Sequence, residues 1–182
     1  INGVMVQTDW FLPREGLATS TTVNAVFLTK EINVAGNLVQ FANEMNSGLN
    51  QNWVTVNLMQ DITFEIGMPV ITEFKGKFYG NNHTITFNNG STINGSSSNS
   101  NVGMFGKIAS GAIVENLKVV FSGTMNAGTV TEEVIDIADI NVGVITGYNE
   151  GTIDNVSLTL SQGGLIHSLS SVSANVGGIA GV

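Results

Sequence analysis

The sequence predicts an all-β chain, a solenoid of stacked parallel strands with one short helix capping its N-terminal end. Three observations carry this prediction. A Val-Gly unit recurs at Val102, Val142 and Val176, the segments around it alternate apolar and polar residues, and a single segment has helical spacing instead.

Val102-Gly103-Met104-Phe105-Gly106 is followed by Ile113-Val114-Glu115-Asn116-Leu117, and Val142-Gly143-Val144-Ile145-Thr146-Gly147 by Ile153-Asp154-Asn155-Val156. Val102 to Ile113 and Val142 to Ile153 both span 11 positions, whereas the unit starts lie 40 and then 34 positions apart. Equal inner spacing with unequal outer spacing describes a fixed unit carrying insertions of variable length. A third copy opens at Val176-Gly177-Gly178-Ile179 and stops at Val182, so the reading expects a solenoid incomplete at its C-terminus. The insertions are Gly90–Asn101, Gly123–Asn141 and Ser161–Asn175. Each precedes a Val-Gly start, so stacking is expected to project all three from one side.

Within the units, period-2 alternation points Leu117, Val119 and Phe121 inward, and likewise Val156, Leu158 and Leu160. Lys118, Ser157 and Thr159 face out. Upstream, Val54, Val56 and Leu58 alternate with Thr55 and Asn57, and Ile85 and Phe87 with Thr84 and Thr86. Gly103, Gly111, Gly143, Gly147 and Gly151 punctuate these strands where a positive φ or a close backbone approach is needed. Asn82, Asn116 and Asn155 occupy comparable turns, because Asn tolerates the left-handed region; stacked turns would then form Asn ladders.

Leu38, Phe41, Ala42 and Met45 fall at i, i+3, i+4 and i+7, which predicts an amphipathic helix over about 37–47, ended near Gly48. Its simplest role is to cover the open end of the core. The solenoid is therefore placed at 36–182. Residues 1–35 form a strand-like segment without assignment, with Val4-Met5-Val6 and Val26-Phe27-Leu28 as candidate strands.

Composition restricts the function. Only 11% of the 182 residues are charged and 42% are hydrophobic, while Gly and Asn each number 22. A net charge of −8 argues against a nucleic-acid partner, whose phosphates need clustered Lys and Arg. Cys is absent, which removes disulfides, thiolate metal sites and Cys nucleophiles. No apolar run approaches the ~20 residues of a membrane-spanning helix.

Chemistry-bearing residues are sparse. His83 reads as a turn residue bonded to backbone, and His167 has no acidic neighbour in sequence. A polysaccharide-cleaving β-helix would need paired carboxylates, or a base beside a metal or Arg. The only Arg is Arg14, outside the repeats, and Glu115, Glu150 and Asp154 form no Asp-x-Asp pairs. The densest acidic cluster, Glu132, Glu133, Asp136 and Asp139, reads as a solvated loop that could serve as the acidic part of a binding face. Trp10, Trp53, Tyr79 and Tyr148 are too scattered for a sugar-stacking platform. Asn82-His-Thr, Asn89-Gly-Ser, Asn94-Gly-Ser and Asn155-Val-Ser are glycosylation sequons, relevant only in a glycosylating secretory route.

Phe74-Lys75-Gly76-Lys77-Phe78-Tyr79-Gly80-Asn81-Asn82-His83-Thr84-Ile85 resembles a rung of proteins carrying GLUG-type repeats. The helix before it, Asn57-Leu58-Met59-Gln60-Asp61-Ile62 and Met68-Pro69-Val70 resemble that family's lead-in. Tyr79 and Asn82 stand where the family's turn more commonly has Asp and Gly. The resemblance implies a right-handed parallel β-helix from a secreted or surface-anchored, adhesin-like protein. The expected function is accordingly a non-enzymatic extracellular adhesin, stalk or filament segment, without cofactor or metal. Its expected partners are a host or matrix glycan or protein, and either neighbouring subunits or a longer parent chain. A carbohydrate-active β-helix and a self-assembling filament subunit are the alternatives.

Overall fold

The computed structural model describes residues 28–48, 54–95, 101–127, 140–162, 164–168 and 174–182. They open with β1 (Leu28–Ile32), α1 (Ala35–Asn46), β2 (Val54–Leu58), β3 (Ile62–Phe64), β4 (Gly67–Pro69) and β5 (Ile71–Phe74). Next come β6 (Lys77–Tyr79), β7 (Thr84–Phe87), β8 (Thr92–Asn94), β9 (Asn101–Val102), β10 (Phe105–Ile108) and β11 (Ile113–Phe121). The remainder is β12 (Thr124–Ala127), β13 (Ile140–Gly143), β14 (Thr146–Asn149), β15 (Thr152–Leu160), β16 (Leu165–Ser168) and β17 (Ala174–Gly177).

All strand pairs among these residues are parallel, and they make four separate sheets. The long sheet runs β1-β2-β6-β11-β7-β3, with β15 added on β11. The others run β14-β10-β5, β16-β12-β8-β4 and β17-β13-β9. From β6 onward the chain visits them in a fixed order: long sheet, β8 sheet, β9 sheet, β10 sheet, then the long sheet again. β11 is long enough to span two earlier strands, its first half pairing with β6 and its second with β7. Between those halves Gly80 to His83 form a turn, with Asn81 and Asn82 both at positive φ.

One continuous apolar core connects the sheets, and alternation puts it there. Leu117, Val119 and Phe121 are fully buried while Lys118 is exposed. In-register neighbours stack their aromatic rings: Phe64 and Phe87 lie face to face at 4.8 Å, and Phe87 and Phe121 follow at 5.5 Å. On the β10 sheet Phe74 and Phe105 are not register partners, and their rings meet across the two strands at 5.0 Å with planes tilted by 38°. Each fully buried Phe removes about 1.5–3 kcal/mol worth of apolar surface from water.

The expected inward set on β15 shares the face of its register partners on β11: Val156 and Leu158 pack half-buried against the core, and Leu160 is 53% exposed, β11 being the sole neighbour of β15 among the described residues.

The helix forms two residues earlier than its apolar spacing suggests. Asn37 Oδ1 accepts from the backbone N–H groups of Asn33 and Val34 at 3.2 and 3.3 Å and steadies the entry. Gly48, at φ +100°, ends it with a bond from its N–H to Met45 O. Leu38, Phe41, Ala42 and Met45 are buried, and the Phe41 ring meets Phe74 edge-on at 6.3 Å. Asn46 then acts as a surrogate strand for β5. Its Nδ2 donates to Val70 O at 2.7 Å and its Oδ1 accepts from Thr72 N–H at 2.9 Å.

β1 pairs in register with β2, so residues 28–32 of the segment without assignment belong to the long sheet. The candidate strand at Val4-Met5-Val6 lies outside the described residues, as do Val26 and Phe27.

Candidate functional site

The repeat unit is a corner, and its glycines are there because neighbouring backbone leaves no room. A Cβ on Gly103 would fall 2.5 Å from Gly143 O, one on Gly106 2.7 Å from Thr72 O, and one on Gly147 2.5 Å from Val102 N. The Val-Gly repeat therefore encodes close backbone approach between neighbouring segments and contributes no reactive group.

The Asn residues form ladders. Asn141 Nδ2 donates to Asn101 Oδ1 at 2.8 Å and Asn175 Nδ2 to Asn141 Oδ1 at 2.8 Å, across 40 and 34 residues of chain. Asn126 bonds Asn94 in the same sense at 3.0 Å, and Asn155 bonds Asn116 at 2.7 Å. In all four bonds the later residue donates to the earlier one, so the ladders have a direction. Asn82, Asn116 and Asn155 have φ of 64°, 54° and 48°, as their turn positions suggest.

His83 does more than bond to backbone. Its N–H donates to Gly80 O at 2.8 Å, and its ring Nδ1 stands 3.2 Å from Asp61 Oδ1. Asp61 also accepts the Thr84 N–H at 2.8 Å. That backbone bond, aided by His83 and the positive field of Lys118, holds the Asp61 carboxyl below the usual carboxylate range. Composition and spacing single out no role for Asp61. Its spacing signal is the 22-residue offset to His83, close to the spacing of the first paired strands.

On the outer face of the β10 sheet, Glu73, Lys107 and Tyr148 are register partners. Lys107 Nζ lies 2.9 Å from Glu150, 3.9 Å from Glu73 and 5.7 Å above the Tyr148 ring centre. The Glu150 contact, before the wider charge field, raises the Lys107 pKa. Lys75 Nζ adds a 2.8 Å contact to Glu73. The column is a surface strip in which two carboxylates, Glu73 and Glu150, stand against two ammonium groups, Lys75 and Lys107.

Glu132, Glu133, Asp136 and Asp139, the candidate acidic binding loop, lie outside the described residues, as do Arg14, Trp10 and Trp53. β12 is the last described element before the acidic residues and β13 the first after them. The three insertions are partly strands rather than loops throughout. β8, β12 and β16 open them and pair in one sheet, and β9, β13 and β17 close or follow them and pair in another. His167 is placed in β16, in register with Asn126. Among the described residues no three His, Cys, Asp or Glu gather as a metal site, and no helix is long and apolar enough to cross a membrane.

One surface is unbalanced. Among the described residues β15 pairs with β11 alone, and Asp154 sits in register on Glu115, like charge on like charge. Comparisons with family models, with curated proteins and with solved structures find no match to this chain.

Proposed function

We propose that the four sheets are the sides of one right-handed parallel β-helix, and that the chain is a non-enzymatic extracellular scaffold of the adhesin or stalk type. The observation that carries this reading is the fixed order in which the chain visits its sheets, turn after turn, with every pair parallel. A parallel pair needs a crossover, and here the strands of the other sheets supply it. Polar residues at the corners are also spent on architecture. Asp61 is bonded to the next turn's backbone, and the Asn amides bond to each other. The likeness to GLUG-type repeats adds the surface setting.

On this reading the acidic segment with Glu132, Glu133, Asp136 and Asp139 is part of the binding face, held at both ends by strands. The test has two arms. Incubation with a polysaccharide panel is expected to release no products, while an array of matrix glycans and proteins yields a ligand. Cleavage of any polysaccharide would overturn the scaffold reading. Replacing 128–139 by a short Gly-Ser linker is expected to keep the fold and weaken that binding at least tenfold. Full binding by the trimmed chain would move the face elsewhere.

A further inference from the structure

We infer that Asn82 and Asn89 are acceptor sites for N-linked glycans, and that the amides of the other two sequons, Asn94 and Asn155, are reserved for the Asn ladders. The inference deepens the scaffold reading and rests on its secreted setting, because the sugar donor and its transferase act on a chain entering a secretory route.

Asn82 and Asn89 are each the second residue of an Asn-Asn doublet, and the two members of a doublet do different work. The first ties its turn to a neighbouring segment. Asn81 Nδ2 donates to Leu58 O at 3.0 Å, and Asn88 Nδ2 donates to Glu65 Oε1 at 2.8 Å. The second is held through the backbone alone. Asn82 sits at φ +64°, its N–H on Asn116 O at 2.7 Å, and Asn89 lies in the turn that the Ser91 N–H closes on Asn88 O at 3.0 Å. Both second residues are exposed, and neither side chain has a hydrogen-bond partner among the described residues. Asn94 and Asn155 differ on this point. Asn94 Nδ2 donates to Thr92 Oγ1 at 2.9 Å while its Oδ1 accepts from Asn126, and Asn155 Nδ2 donates to Asn116 Oδ1 at 2.7 Å.

The chemistry of the transfer makes a free amide matter. Nδ2 attacks the anomeric carbon of a lipid-diphosphate-linked oligosaccharide. A C–N bond forms, the C–O bond to the diphosphate breaks, the lipid diphosphate leaves, and the amide gives up one proton. The product keeps a single amide N–H and carries a bulky group on Nδ2. At Asn82 and Asn89 that group enters solvent, whereas at Asn94 and Asn155 it must fit beside an oxygen already in contact. Ser91, which completes the Asn89 sequon, is fully buried with its hydroxyl donating to Asn88 O at 2.7 Å. Asn89 is therefore modified before its turn closes, and the fold then filters which modified chains survive. The two sites flank β7 and bring polar cover to a chain with only 11% charged residues, where surface charge does little for solubility.

The whole chain is secreted behind a leader from a glycosylating eukaryotic cell, and protease-resistant protein is separated from aggregated protein. Glycopeptide mass spectrometry of the resistant protein is expected to find sugar at Asn82 and Asn89, with occupancy at Asn94 and Asn155 at least fivefold lower. Equal occupancy at all four sequons, or a bare amide at Asn82 or Asn89, would overturn the inference. In a host without the transferase both amides stay bare. The Thr84→Val, Asn89→Gln protein lacks both acceptors; in the glycosylating cell it should keep its circular dichroism spectrum and precipitate at a severalfold lower concentration. Unchanged solubility would overturn the role as polar cover. Polysaccharide cleavage would remove the scaffold reading and leave the glycopeptide map intact, so the two failures are distinguishable.

Discussion

Asp61 and His83 are 22 residues apart in the chain, and their side chains meet at 3.2 Å beside the Thr84 N–H that Asp61 also accepts. A carboxylate whose folded pKa is depressed stabilises the fold above its unfolded pKa, about 3.9, and loses that contribution as pH falls through the folded value. Asp61→Asn should therefore melt slightly below wild type at pH 6–7, the effect being kept small by the exposure of the carboxylate. The gap should close progressively below about pH 4. Thermal melts at a series of pH values check this; a gap that widened on acidification would contradict it.

Burial along the long sheet predicts opposite responses to one substitution. Leu117→Asp places a charge among fully buried neighbours and should cost several kcal/mol, enough to unfold the chain. Leu160→Asp occupies the same face one strand on but at 53% exposure, and should change stability by about 0.5 kcal/mol or less. Urea melts compare the two directly.

Two glycines separate close approach from ordinary helix propensity. Gly147→Ala drives a methyl within 2.5 Å of Val102 N and 2.6 Å of Asn141 O, both backbone atoms that cannot step aside. A loss of about 3 kcal/mol or more is expected, in the range of the larger single-site effects. Gly36 lies in α1 with nothing within 4 Å of the added atom, so Gly36→Ala should stabilise by about 0.5–1 kcal/mol.

Asn89-Gly90 and Asn94-Gly95 should age differently. Deamidation needs the Gly nitrogen to attack the Asn side-chain carbon, expelling ammonia before water opens the ring. Gly95 N–H is bonded to Asn126 O at 2.9 Å, and the Asn94 amide is held by Thr92 and Asn126. Asn89 and Gly90 are exposed in a turn with Gly90 at φ +96°. Peptide mapping after incubation at pH 8 should find isoaspartate at Asn89 and not at Asn94.

What was legible in the sequence was local. Leu38, Phe41, Ala42 and Met45 define α1 by spacing alone, and Leu117, Val119 and Phe121 define the inner face of β11. Contacts between distant segments were less accessible, because their offsets vary from 22 residues for Asp61 and His83 to 40 for Asn101 and Asn141. Thus the glycine repeat was visible, but not the carbonyl that forbids its Cβ. β4 escaped notice because it is three residues ending in Pro69, tolerated there since β4 is the edge of its sheet. The exposure of Leu160 depends on what lies beyond β15, which alternation cannot encode.

The ladder spacings have a mechanical consequence. A chain pulled from the β17 side peels strand from strand, each release ending when the next Asn–Asn bond back along the chain takes the load. Freeing Asn175 from Asn141 passes the load to Asn155, 20 residues back, and freeing Asn155 from Asn116 passes it to Asn141, 14 residues back. At about 3.5 Å per extended residue, a stretching trace should lengthen in steps of about 70 Å and then about 50 Å. The longer step comes first, so the unequal ladder spacings would be read as a ruler with the force applied from one side.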